Sequence, residues 1–109
     1  MIRRAPNVSG DILNAANIQL NRENHRVTKD GSEVRLKPKD FAILELLMMY
    51  PNKVFSAEAI IERVWSSQSE ASAEVVRKHI NWLRREIDTP GRPSLIRTVT
   101  GVGYSLDIQ

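Results

Sequence analysis

The stretch EVVRKHINWLRREI, residues 74–87, carries two patterns at once. Val76, Ile80, Leu83 and Ile87 recur at i, i+4, i+7 and i+11, the spacing of a buried stripe on an amphipathic helix. At 100° per residue, Ile80, Leu83 and Ile87 fall within about 40° of Val76. Glu74, Lys78, Asn81 and Arg85 fall opposite, with Arg77 and Arg84 on one flank and Trp82 on the other; Val75 and His79 lie nearer the core. No acid interrupts the run from Arg77 to Arg85, so the outer surface lacks the alternating charges of an ordinary salt-bridged, solvated helix. Arginine, asparagine and an aromatic on a protruding helix suit the major groove of DNA, where arginine reads guanine and asparagine reads adenine.

Upstream of this helix the pattern predicts two more. Pro38 is favoured at a first helical position, and Phe41, Ile43, Leu44, Leu47 and Met48 form a broad apolar face behind it. Lys37 stands where an N-cap acceptor belongs and offers none, so that cap is weak. Pro51-Asn52 ends the helix, and Val54-Phe55 can add a brief β bridge. Ser56 then caps a second helix packed through Ile60, Ile61, Val64 and Trp65. A polar loop follows over residues 66–71, and Ser72 is the expected cap of the quoted helix.

The first third reads as β structure. GDILNA, NIQLN, HRVTK and EVRLK are short runs between polar turns. Asp30-Gly31 is a strong two-residue hairpin signal, because both central residues of that turn need positive φ. Beyond Asp88, TPGRPS breaks the helix, and LIRTV and YSLDI flank TGVG as a hairpin. A sheet, three helices and a hairpin, with no internal repeat, make one compact α+β core over residues 11–109, preceded by a linker or frayed arm at residues 1–10.

The totals fit such a domain. A chain of 109 residues buries roughly 60–70% of its unfolded surface without staples. There is no cysteine, and His25 and His79 are the only histidines, so neither disulfides nor a metal site is expected. The apolar runs within residues 41–49 are split by Glu45 and too short for a bilayer, and no apolar stretch follows the arginines of MIRRAPNVSG as a secretory signal requires. A cytoplasmic protein is expected. The net charge of +3 decides little, but residues 75–105 hold Arg77, Lys78, Arg84, Arg85, Arg92 and Arg97 against Glu86 and Asp88. The positive field is therefore concentrated at the C-terminal end. No carboxylate pair or nucleophile–base set converges anywhere, so catalysis is not expected.

Helix, loop, basic helix and hairpin together describe a winged helix-turn-helix. TGVG with no helix after Gly103 excludes a dinucleotide-binding loop. The run VW at residues 64–65, then VVRKHINWLRREI, then LIRTVTGVGY resembles the effector domain of OmpR/PhoB-type response regulators, and LKPKDFAILELLM resembles that family's opening helix. The likeness spans residues 18–108. It implies a four-stranded N-terminal sheet, a three-helix core with the third helix in the major groove, and a β-hairpin wing. It also implies a transcription factor that binds tandem direct repeats of double-stranded DNA as head-to-tail pairs, monomeric when free. A receiver domain fed by a sensor kinase would control it, and loop 66–71 would meet RNA polymerase.

Residue by residue, Trp65 matches the tryptophan that donates its indole N–H to a phosphate. His79, Arg84, Thr98 and Tyr104 match backbone-contacting positions, and Lys78, Asn81 and Trp82 match the variable positions that read bases or nearby phosphates. Arg77 and Arg85 are added by the helical wheel alone. Thr100 and Ser105 stand where the family often has wing arginines, and Arg97 on the same hairpin is the candidate to compensate. Trp82 replaces a common basic residue; it either stacks on a base or thymine methyl, or packs under the wing. No receiver domain fits in this chain, which reads as an excised C-terminal half or, alternatively, a stand-alone regulator. A second function fits the same charges: a winged-helix interaction module whose basic face docks on an acidic protein.

Overall fold

The computed structural model describes residues 11–66 and 71–107. The described residues form four short strands, three helices and a final pair of strands: β1 (Ile12–Ala15), β2 (Ile18–Asn21), β3 (Arg26–Lys29), β4 (Ser32–Val34), α1 (Pro38–Met49), α2 (Ala57–Val64), α3 (Ala73–Ile87), β5 (Ile96–Val99) and β6 (Gly103–Leu106). The first four make an antiparallel meander in the order β1-β2-β3-β4, and β5-β6 is a separate hairpin.

Register follows from alternation. Leu13 faces Leu20, Leu20 faces Val27 and Val27 faces Val34, a cross-strand row on the side turned to the helices. Asp30 and Gly31 take φ of 52° and 85°, as the two-residue turn required. β4 is shorter than the run EVRLK predicts. In the same register Arg35 would face Arg26, a repulsive pair, and Arg26 leans instead onto Glu33 at 3.8 Å.

Helix α1 is the centre of the molecule. Phe41, Ile43, Leu44, Leu46, Leu47 and Met48 are all buried, between the sheet on one side and α2 and α3 on the other. Lys37 gives it no side-chain cap. The serines do cap their helices: the Ser56 hydroxyl accepts from the Ala59 N–H at 3.1 Å, and that of Ser72 from the Val75 N–H at 3.3 Å. The α3 stripe is fully used, with Val76, Ile80, Leu83 and Ile87 all buried. Burying each such side chain contributes about 1.5–3 kcal/mol. Helix α2 stops one residue earlier than expected. Trp65 is its C-cap, with extended φ −99° and ψ 134°, so its backbone leaves the helix while the residue stays buried against the core.

The final hairpin is fixed to the body by the predicted bridge. Phe55 and Tyr104 exchange both backbone hydrogen bonds, each at 2.8 Å. Gly103 is required there for room: a Cβ would sit 2.0 Å from the Phe55 carbonyl oxygen.

Candidate nucleic-acid interface

Three tethers hold α3. At its C-terminal end the Lys29 ammonium, on the helix-facing side of β3, donates to the Asp88 carbonyl at 2.6 Å, placing a cation on an otherwise unpaired end of the helix. The Asp88 carboxylate turns outward and accepts from the Ser94 hydroxyl and the Leu95 N–H at 3.0 and 3.3 Å, which closes the TPGRPS loop and aims β5 back along α3.

The second tether joins α3 to the hairpin. Arg84 donates from Nη2 to the Ile96 carbonyl at 2.8 Å and to Thr98 Oγ1 at 2.6 Å, and from Nε to the same carbonyl at 3.2 Å. Its Nη1 also reaches Asn81 Oδ1 at 3.4 Å. Arg84 is thus largely committed within the protein, whereas Thr98, an acceptor here, keeps its hydroxyl proton for another partner.

The third tether joins α3 to α1. His79 Nδ1 lies 2.6 Å from Asp40 Oδ1, and both side chains are largely buried. The imidazole stands edge-on between two indoles, with centroids 5.4 Å from Trp65 and 5.1 Å from Trp82. Each indole carries an ammonium: Lys39 Nζ is 5.5 Å from the Trp65 centroid and Lys37 Nζ 4.3 Å from that of Trp82. This resolves the two uses left open for Trp82 in one respect. It stands on the α1 side of α3, beside Arg35, Lys37, Asp40, Arg85 and Glu86, and not under the wing. It keeps 37% of its surface exposed.

Between the tethers runs an open ridge of Lys78, Asn81 and Arg85, all exposed. Among the described residues neither Lys78 nor Arg85 has an ion-pair partner, since the salt bridges involve other cations. Arg77 reaches Glu74 at 3.7 Å, an exposed pair worth at most about 1 kcal/mol and easily exchanged for another anion. Tyr104 is half-buried at the Phe55 bridge.

Arg97 is not brought to this surface. Thr98 pairs with Tyr104 and turns toward Arg84; Arg97, one residue earlier and opposite Ser105, points to the other face and meets Asp107 at 2.6 Å. The tip of the hairpin presents Val102, 57% exposed, rather than a cation. Sequence reasoning missed Lys37, Lys39 and Asp40 as neighbours of this surface. Local pattern places them at the start of α1, Lys37 as its N-cap, and carries no information on what that end meets 39 residues later. Loop residues 67–70 lie outside the described residues, as does the arm at residues 1–10. Among the described residues no helix is long and apolar enough to cross a membrane, and no cluster of acids and histidines could hold a metal ion.

The family model for the transcriptional regulatory protein C terminus matches residues 31–106. The phosphate regulon transcriptional regulatory protein PhoB of Rhizobium meliloti is 41% identical over 108 residues, 98% of this chain and 48% of PhoB. The chain thus spans about half the length of the curated relatives it matches. Among solved structures, the response regulator DrrB, a Thermotoga maritima OmpR/PhoB homologue, superposes with a TM-score of 0.79 at 30% identity, over 89% of this chain and 44% of DrrB. The DNA-binding domain of the response regulator AdeR, solved with an intercistronic region, gives 0.75 at 26% identity, over 85% of this chain and 96% of that one. With its four-stranded sheet, three helices, hairpin wing and basic third helix, the chain belongs to the C-terminal domains of transcriptional regulatory proteins, the DNA-binding winged-helix effector domains of OmpR/PhoB-type response regulators and not enzymes.

Proposed function

We propose that this domain reads specific sequences in double-stranded DNA by laying α3 in the major groove, with the β5–β6 hairpin against the neighbouring backbone. The observation that carries this reading is the open ridge of Lys78, Asn81 and Arg85. Two donors with no ion pair among the described residues flank an amide that can make paired hydrogen bonds to adenine. Phosphate contacts then fall on either side of the ridge. On the α1 flank stand Trp65, His79 and Trp82 with Lys37 and Lys39; on the wing flank stand Arg77, Arg84, Thr98 and Tyr104.

The protein to which this domain belongs acts, on this reading, as a cytoplasmic response regulator. A receiver domain precedes residues 11–109, and a sensor kinase phosphorylates it. The free domain is monomeric and binds tandem direct repeats as a head-to-tail pair, and the segment 66–71 contacts RNA polymerase. That the AdeR DNA-binding domain was solved with an intercistronic region supports binding to duplex DNA, and the match to less than half of PhoB's length fits an effector domain within a longer regulator.

Selection from a random duplex library tests the reading directly. Enrichment of two direct repeats about one helical turn apart is the expected result. Asn81→Ala should then relax preference at one base by about 1–3 kcal/mol, while Lys78→Ala either does the same or weakens all sequences evenly. Binding to an acidic protein with no duplex enriched would establish the interaction-module alternative instead.

A further inference from the structure

Arg35, Lys37 and Arg85 line one open cleft of about 200 Å³ on the α1 side of α3, together with Trp82, Glu86 and the buried Asp40. Arg35 and Lys37 lie in residues 35–37, the link from β4 to α1, outside all three helices and the wing. All three cations are exposed, and among the described residues none has an ion-pair partner. The two acids do not neutralise them by contact. Asp40 is spent on His79 at 2.6 Å, and Glu86 stands within ion-pair distance of none of the described cations. The Lys37 ammonium is held at the cleft wall, 4.3 Å from the Trp82 centroid.

Solvated lysines and arginines gain nothing by gathering, since like charges brought into one concavity repel. The same gathering focuses a positive field there and favours an anion. The anion at hand follows from the position of the cleft. Arg85 belongs both to it and to the ridge of Lys78, Asn81 and Arg85. Trp82 lies about 40° round the helix from Lys78, so the cleft opens on the strip next to the ridge. The major groove is about 12 Å wide and walled by two phosphate backbones, so the strip beside a base-reading ridge meets phosphodiesters.

We propose that this cleft is a phosphodiester subsite, in which Arg35 and Lys37 together grip one backbone phosphate beside the bases that α3 reads. The segment before α1 is then part of the DNA interface. A guanidinium gives that phosphate two parallel N–H donors, and the ammonium adds a point charge already placed by Trp82. Arg85 closes the subsite from α3. This rests on the reading above that α3 lies in the major groove.

The test is the salt dependence of binding to the duplex most enriched by the selection above. Both side chains are exposed and Lys37 gives α1 no side-chain cap, so the double variant Arg35→Ala/Lys37→Ala should melt with the wild type. Its slope of log affinity against log salt should be shallower by about 0.9, the value for one phosphate, with affinity about five- to tenfold lower at 0.1 M salt. Its base preference should be unchanged. Arg26→Ala removes an exposed cation from β3, where Arg26 pairs with Glu33, and should keep the wild-type slope. Single methylphosphonates, each neutralising one phosphate, are then placed along the same duplex. At one position, neighbouring the base at which Asn81→Ala relaxes preference, the substitution should weaken the wild type and leave the double variant unaffected. A double variant with the wild-type slope, or one that loses as much as the wild type at every methylphosphonate, would overturn the subsite and leave the DNA reading standing. If no duplex is enriched or bound, both fall.

Discussion

Replacing Gly103 by alanine tests how the wing is seated. Gly103 begins β6 beside the Phe55 bridge, and its φ is not in the left-handed region, so backbone freedom is not why glycine stands there. The added Cβ would lie 2.0 Å from the Phe55 carbonyl oxygen, 2.6 Å from its carbon and 2.9 Å from the Ser56 Cα, all backbone atoms. An ordinary contact begins near 3.4 Å, so β6 and residues 55–56 must separate by more than an ångström. The two 2.8 Å bonds between Phe55 and Tyr104 cannot survive that opening. At about 1 kcal/mol net each, with some strain at the Ser56 cap, the cost is about 2–3 kcal/mol. For a domain of this size that lowers Tm by roughly 10–20 °C. Thermal and urea unfolding would measure it, with Gly101→Ala as the comparison. Gly101 has φ +77° and open space around it, so its substitution costs only the left-handed backbone penalty of about 1–2 kcal/mol. A Gly103→Ala protein melting within a degree or two of wild type, or above Gly101→Ala, would refute the steric argument.

Two further outcomes are expected. Arg97→Ala should leave the salt dependence of duplex binding unchanged, since its guanidinium pairs with Asp107; by contrast, removing a phosphate-contacting cation lowers the slope of log affinity against log salt by about 0.9. A drop of that size in Arg97→Ala would show that the Asp107 pair opens on DNA. Ser72→Ala should destabilise the domain by about 1 kcal/mol in urea denaturation, because the Val75 N–H loses its acceptor at the start of α3. No change would mean that solvent satisfies that N–H instead.

What could be read from sequence was what repeats locally. The Val76, Ile80, Leu83 and Ile87 stripe, the serine caps and the Asp30-Gly31 turn each depend on residues a few positions apart, and each stands in the structure as expected. What could not be read was how the polar groups are spent. Arg84 and Arg97 look alike on a wheel or a charge map. One is bound to a carbonyl and hydroxyl 12 and 14 residues away, the other to an acid across the hairpin, and no period encodes those distances. Asp40 sits in the first turn of α1, and only the packing of α1 on α3 shows its partner. Gly103 was legible as part of a chain reversal, yet its necessity comes from Phe55, nearly fifty positions earlier.

The Arg84 tether also sets what the DNA must do. Because one guanidinium holds both Ile96 and Thr98, α3 and the wing behave as the two jaws of a caliper whose gap is fixed in the free domain. A gap set during folding, before any contact, would lower the entropic cost of association. A stiff caliper transfers the burden of fit to the duplex. If α3 and the wing grip DNA as proposed, sites whose groove spacing already matches the gap would be bound with little deformation, and others would have to bend or twist first. Base pairs between the jaws, touched by no side chain, would then contribute to operator choice through their stiffness alone.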